Sequence, residues 1–206
     1  NFFYAHHFID IKSVGDYHFS RHFRAIMIFF AMACSTTIYT NLDTVMLGFM
    51  KTDTDVGYYN AAVKIKTILV SIVTSLGTVL LPRASYYIEQ GMKEKFKEVA
   101  KKAMDFVILA AVPLMLYFMI YAREGVIFLS GDAFEGSVLP MQIIMPTLLF
   151  IGITNILGIQ VLVPLGKEKY VLYSEIAGAV TDLLLNALLI PRYAAAGAAM
   201  GTLAAE

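Results

Sequence analysis

The chain has 206 residues and a formal net charge of zero; 58% of its residues are apolar, only 16% are charged, and mean hydropathy is +0.68. That balance lies outside the range of water-soluble domains and fits a chain whose solvent is largely the bilayer. Neutral overall charge removes the basic field that a nucleic-acid binder needs, and a lone cysteine, Cys34, removes an internal disulfide framework and a cysteine metal site.

The chain opens at Asn1 without an initiator methionine and stops at Glu206 inside a small-residue apolar run, so it reads as a fragment. Residues 1–23 set Asp10 and Asp16 among aromatics and histidines, which is no signal-peptide pattern, and read as a cytoplasmic interfacial linker. His18 and His22 have the i,i+4 spacing of metal ligands, but no cysteine or carboxylate at suitable spacing completes a site, so no metal is expected.

Residues 24–206 read as an all-α, polytopic transmembrane lobe. A membrane helix needs about 20 mainly apolar residues to cross about 30 Å of hydrocarbon. The expected spans are 24–50, 58–81, 103–122, 139–163 and 170–190, with a sixth begun at 194–206. The stretch from Gly136 to Gly166 contains no charge at all, which a helix with one face in water would not show.

Basic residues alternate between the loops. Lys12, Arg21 and Arg24 precede the first span; Arg83, Lys93, Lys95, Lys97, Lys101 and Lys102 follow the second; Lys167 and Lys169 follow the fourth. The other loops hold Lys51, Arg123 and Arg192 beside Asp53, Asp55, Glu124, Asp132 and Glu135. The positive-inside rule places the first set in the cytoplasm, so the first helix runs outward. Between Gly91 and Met104, Met92, Phe96 and Val99 form one stripe and Glu98 stands four residues before Lys102, which reads as a helix lying along the cytoplasmic interface.

Polar residues inside spans mark a protein contact or a watery cavity. In the second span Asn60, Lys64, Thr67, Ser71, Thr74, Ser75 and Thr78 recur at steps of three and four along one face. The hydroxyls alone read as packing contacts, but an ammonium about two turns inside the membrane costs a few kcal/mol and must face a partner or water. Lys66 lies about 200° round the helix from Lys64 and cannot share that face.

The first span carries Thr36, Thr37, Thr40, Asn41, Asp43 and Thr44 in its outer half, with Asp43 at the depth of Lys64. An ion pair between the two is expected, and it reads either as structural neutralisation or as part of a cavity. In the fifth span Glu175, Asp182 and Asn186 share one face, with Asp182 near the middle; a proton or cation carrier and a plain helix-to-helix hydrogen bond both stay open. Pro113 and Pro146 interrupt long helices, and Gly197 and Gly201 form a small-xxx-small step. No phosphate-binding glycine loop and no nucleophile with a matching base occurs, so no catalytic residue and no enzyme activity is expected.

The stretch LDTVMLGFMKTDTDVGYYNAAVKIK from Leu42 to Lys66, followed by SLGTVLLPRASYY from Ser75 to Tyr87, resembles the polysaccharide flippases of the MOP exporter superfamily, the Wzx-type oligosaccharide translocases. SGDAF at Ser130–Phe134, ILGIQVLVPLGKEKYV at Ile156–Val171 and LNALLIPRYAAAGAAMGTLAAE at Leu185–Glu206 extend the likeness over nearly everything after Arg24. Ala194 departs from it, at a position where the family often has glycine. The resemblance implies the second of two six-helix lobes around a V-shaped cavity, a first lobe outside this chain as its partner, and a bacterial cytoplasmic membrane location.

It also implies movement of an undecaprenyl-pyrophosphate-linked oligosaccharide from the inner to the outer leaflet by alternating access, without covalent chemistry. On that reading Lys64 attracts the pyrophosphate, Asn60, Thr67 and Ser71 line the route, and Arg83 meets the head group or serves only as a basic anchor. No cofactor is implied, and a coupling ion, H+ or Na+, stays open. Two alternatives remain: a multidrug or cation exporter of the same superfamily, with Asp43 and Asp182 binding cationic compounds, and a membrane enzyme acting on polyprenyl-linked sugars, which the short outer loops disfavour.

Overall fold

The computed structural model describes residues 19–206, and among them every regular element is a helix. The order is α1 (Phe19–Met50), α2 (Asp53–Glu89), α3 (Lys93–Ile120), α4 (Ala122–Ser130), a 3-10 segment (Asp132–Ser137), α5 (Val138–Ile144), α6 (Thr147–Thr154), a π segment (Asn155–Leu162) and α7 (Glu168–Ala205). Within the described residues, four helices are long and apolar enough to cross a membrane, and the bent pair Asp132–Ile144 with Thr147–Leu162 makes a fifth. The chain is a multi-pass membrane protein. Residues 1–18, and the side chain of His22, lie outside the described part, so the linker and the histidine spacing are not addressed by it.

Local chemistry sets the breaks. Thr52 caps α2: its hydroxyl accepts from the Asp55 amide, and the Asp55 carboxylate accepts from the Thr52 amide, a reciprocal box that satisfies two orphan donors. Pro146 cannot donate to the helix ladder, and the chain bends by 48° between the two halves of the fourth span. Pro113, by contrast, sits inside an unbroken α3. The amphipathic residues 93–104 are the first turns of that same α3 and not a separate interfacial helix. At about 1.5 Å per residue, 28 helical residues span roughly 42 Å, so these turns extend past a hydrocarbon core of about 30 Å.

The two ends of the bundle differ in charge. The first turns of α2 meet the 3-10 segment, with Tyr58 edge-on to Phe134 at 6.4 Å, while its later half meets the π segment, where Gly77 lies against Gln160 and Asn155. Lys51, Asp53, Arg123, Asp132 and Glu135 therefore gather at one end, and the turns after Glu89 and Leu162, with their lysines, at the other.

Interior positions repeat along α2 as Ala62, Ile65, Leu69 and Val73, against Ala103, Val107 and Ala111 of α3 and Ile144, Met145 and Leu148 around the bend. Since lipid tails are as apolar as these side chains, close contact through small residues, not the hydrophobic effect, holds such helices together. The C-terminal part of the chain shows this best. Helix α7 doubles back at Ala194, and residues 195–199 of its second arm are all buried. Gly197 packs there against the backbone of Leu189 and Ile190, where a Cβ would collide.

Ala194 carries the turn with φ +48° and ψ −127°, a conformation that a Cβ disfavours. Ala194→Gly is therefore expected to raise stability by about 1–2 kcal/mol. Thermal unfolding of the detergent-solubilised protein checks this, and an unchanged or lower midpoint would show that the turn stores no strain.

Candidate functional site

Two adjoining polar regions emerge, one open and one closed. The open one runs along α2. Lys64, Thr67, Ser71 and Ser75 are exposed, and the Thr67 and Ser71 hydroxyls donate to the carbonyls of Val63 and Thr67 at 2.8 and 2.9 Å. Those hydroxyls are satisfied within their own helix and leave lone pairs outward. Asn60 is half-buried and accepts from the Thr44 hydroxyl at 3.1 Å, which joins the α2 face to exposed Thr37, Thr40 and Asn41 of α1.

Arg83 does not belong to this face. On an ideal helix it lies about 120° round from Ser71, and it lines a separate cavity with Lys95 and Lys102 of α3.

The closed region lies behind Thr44. Asp43, only 3% exposed, accepts at Oδ1 from the Asn186 amide and at Oδ2 from the Tyr59 hydroxyl. Thr202 Oγ1 is 2.9 Å from Asp43 Oδ2, 2.9 Å from the Tyr59 hydroxyl and 3.0 Å from the Ala198 carbonyl. Asp182, fully buried, faces Asp43 and Asn186 closely enough to interact with both.

Four elements of sequence thus converge: α1, α2 and both arms of α7. Gly201 makes the convergence possible, because a Cβ there would sit 2.1 Å from Asn186 Oδ1.

The hydrogen balance of this cluster is uneven. The donors of Tyr59, Asn186 and Thr202 point at Asp43, whereas both carboxylate oxygens of Asp182 and the Oδ1 of Asn186 are buried with no hydrogen-bond partner. Two carboxylates side by side offer only lone pairs to each other unless a proton or a cation lies between them. The donor set is all oxygen: Asp43, Asp182, Asn186 Oδ1, Thr202 Oγ1 and the Ala198 carbonyl. Oxygen ligands of this kind fit a proton or a hard cation. Among the described residues no group of three or more His, Cys, Asp or Glu is placed to hold a metal ion.

Several sequence expectations are changed by this geometry. Asp43 does not pair with Lys64; its oxygens are occupied by three buried donors, and Lys64 is exposed. Rotation is the reason. Lys64 lies about 140° round α2 from Tyr59, while Lys66 lies within roughly 20° of it. Lys66 is half-buried and in electrostatic reach of Glu206, Asp43 and Asp182.

Asp182 and Asn186 meet Asp43 as members of one face, but Glu175 stands about two turns away, against Thr36 of α1, with Oε2 buried and unpartnered. Tyr59, Lys66 and Thr202 were not singled out as site residues from the sequence. The seven-residue step from Tyr59 to Lys66 was a readable signal; Thr202, 159 residues from Asp43, carried none.

A family profile described as "Polysaccharide biosynthesis protein" matches residues 5–139. Two curated relatives are similar: the protein named "Putative O-antigen transporter" in Escherichia coli (strain K12), 27% identical over 177 residues, and that of the same name in Shigella dysenteriae, 27% identical over 179 residues. Each alignment covers 86% of this chain, and the chain spans 42% and 44% of the relatives' lengths. No solved structure matches significantly.

Proposed function

This chain belongs to the polysaccharide biosynthesis protein family, and from that premise we propose that it is one lobe of a flippase that moves a polyprenyl-pyrophosphate-linked oligosaccharide from the inner to the outer leaflet of a bacterial cytoplasmic membrane. One observation carries this reading. A membrane-spanning helix leaves a lysine, two hydroxyls and a half-buried amide open along one side, at Lys64, Thr67, Ser71 and Asn60. Lipid cannot solvate such a strip, so it faces water or a polar cargo.

The chemistry matches the cargo. An ammonium attracts a pyrophosphate through charge-assisted hydrogen bonds, hydroxyls and amides exchange hydrogen bonds with sugars, and translocation requires no bond to be made or broken. The rest of the transporter supplies the facing wall, and alternating access carries the cargo between the leaflets. The Asp43–Asp182 cluster, directly behind Thr44, is the candidate coupling site for H+ or Na+. Binding there changes the charge at the junction of α1, α2 and α7, so it can bias the lobe between two arrangements.

The test measures exposure of the lipid-linked oligosaccharide on the outer leaflet of spheroplasts, using membrane-impermeant periodate. Cells lacking the protein are expected to keep the glycan protected, and expression of the full-length protein to restore oxidation. Normal oxidation without the protein, with greater sensitivity to cationic drugs, would move the reading to drug export.

A further inference from the structure

We propose that the cavity between the last turns of α2 and the first turns of α3 binds the phosphate headgroup of an anionic phospholipid from the surrounding leaflet. The cavity measures about 480 Å³ and is lined by Leu76, Leu80, Arg83 and Tyr87 of α2 and by Lys95, Glu98, Val99, Lys102 and Ala103 of α3. Both sets follow helical steps of three and four, so two facing stripes enclose it.

The lining has the polarity of a phospholipid. Leu76, Leu80, Val99 and Ala103 form an apolar part, and Arg83, Lys95 and Lys102 form a cationic one. Glu98 is the sole carboxylate in the lining; Lys102 pairs with it at 2.7 Å and Lys95 lies in electrostatic reach of it, so the lining keeps an excess of positive charge, with Arg83 and Lys95 outside the ion pair, for an anion. Depth agrees. Arg83 is 30 residues from the start of α2, roughly 45 Å along an ideal helix, against about 30 Å of hydrocarbon. The guanidinium therefore stands at headgroup level, and the leucines one and two turns earlier reach toward the acyl chains.

Position separates this occupant from the proposed cargo. Leu76 and Leu80 lie about 140° and 180° round α2 from Ser71, so the cavity opens away from the Lys64 strip. A transported pyrophosphate would meet that strip; a lipid of the leaflet would meet the cavity. This inference does not depend on the flippase reading, since any multi-pass protein with this cavity would bind the same headgroup.

The test uses the full-length protein in nanodiscs of phosphatidylcholine with a small fraction of phosphatidylglycerol, with retained lipid counted by native mass spectrometry. Removing two of the three lining cations in an Arg83→Gln, Lys95→Gln variant is expected to lower phosphatidylglycerol retention more than about tenfold, from about fivefold per basic residue. Lys97→Gln removes one charge of the same sign outside the cavity, where Lys97 pairs with Glu94 at 3.0 Å, and is expected to leave retention within about twofold. Leu80→Trp fills the cavity without changing its charges and should reproduce the loss if the double variant is poorly folded. Unchanged retention in the double variant, or an equal loss from Lys97→Gln, overturns the proposal. Preference for a polyprenyl pyrophosphate over phosphatidylglycerol, lost in the double variant, overturns it too and assigns the cavity to the cargo.

Discussion

Replacing Lys64 with Ala is expected to lower delivery of the lipid-linked oligosaccharide by about 10- to 100-fold while leaving the amount of inserted protein near wild type. The size follows from losing a charge-assisted contact of about 1.5–3 kcal/mol at about 1.4 kcal/mol per tenfold. Insertion should hold because the side chain is exposed and makes no ion pair among the described residues, so its removal leaves no buried group unpaired. Lys64→Arg should retain more delivery than Lys64→Gln if positive charge is what the pyrophosphate needs, although a planar guanidinium need not restore all of it. The measurement is outer-leaflet exposure of the glycan, normalised to membrane-inserted protein. Wild-type delivery by a well-expressed Lys64→Ala protein would remove this lysine from the route.

At the buried cluster, Asp43→Ala and Asp182→Asn should act in opposite directions on stability. Asp43 accepts from Tyr59, Asn186 and Thr202, so its loss leaves buried donors without an acceptor and should cost about 3–5 kcal/mol. Asp182 accepts no hydrogen bond, and an asparagine there would turn amide hydrogens toward the lone pairs of Asp43 and Asn186. Asp182→Asn should therefore stabilise the lobe by about 1 kcal/mol.

On the proposed coupling role, transport should nevertheless fall in Asp182→Asn, because the two-carboxylate site would have lost the charge that takes up the coupling ion. Thermal melts in sodium and in choline chloride, each at several pH values, give the second readout: the wild-type midpoint should respond to one of the two ions, and that response should vanish in Asp182→Asn. A variant that melts early, or one that keeps both transport and the ion response, would reduce the cluster to helix packing.

Much of this architecture was readable in the sequence because bilayer thickness acts locally. An apolar run of sufficient length becomes a span wherever it lies, and a basic turn between spans stays at the membrane surface, so the all-helical class and the separation of basic from acidic turns followed from residues a few positions apart. The polar strip of α2 was equally legible, since a step of three or four residues fixes a face without reference to any other helix. The likeness to the flippases pointed the same way as the family match.

What the sequence left undecided depends on how one helix is rotated against another. Depth alone matched Asp43 with Lys64, but the turn of α2 presents Tyr59 to Asp43 and sends Lys64 outward. Asn186 and Thr202 reach Asp43 across 143 and 159 residues because α7 folds back at Ala194 and Gly201 admits the Asn186 side chain, contacts that no local period encodes. The same holds at the other end of α2, where residues 93–104 alone read as a surface helix and continuity with the span made them one wall of a cavity. Spacing along the chain determined which face each polar group occupies; only packing determined what that face meets, because a hydrogen bond is made or lost within an ångström and a helix rotation of 100° moves a side chain by several.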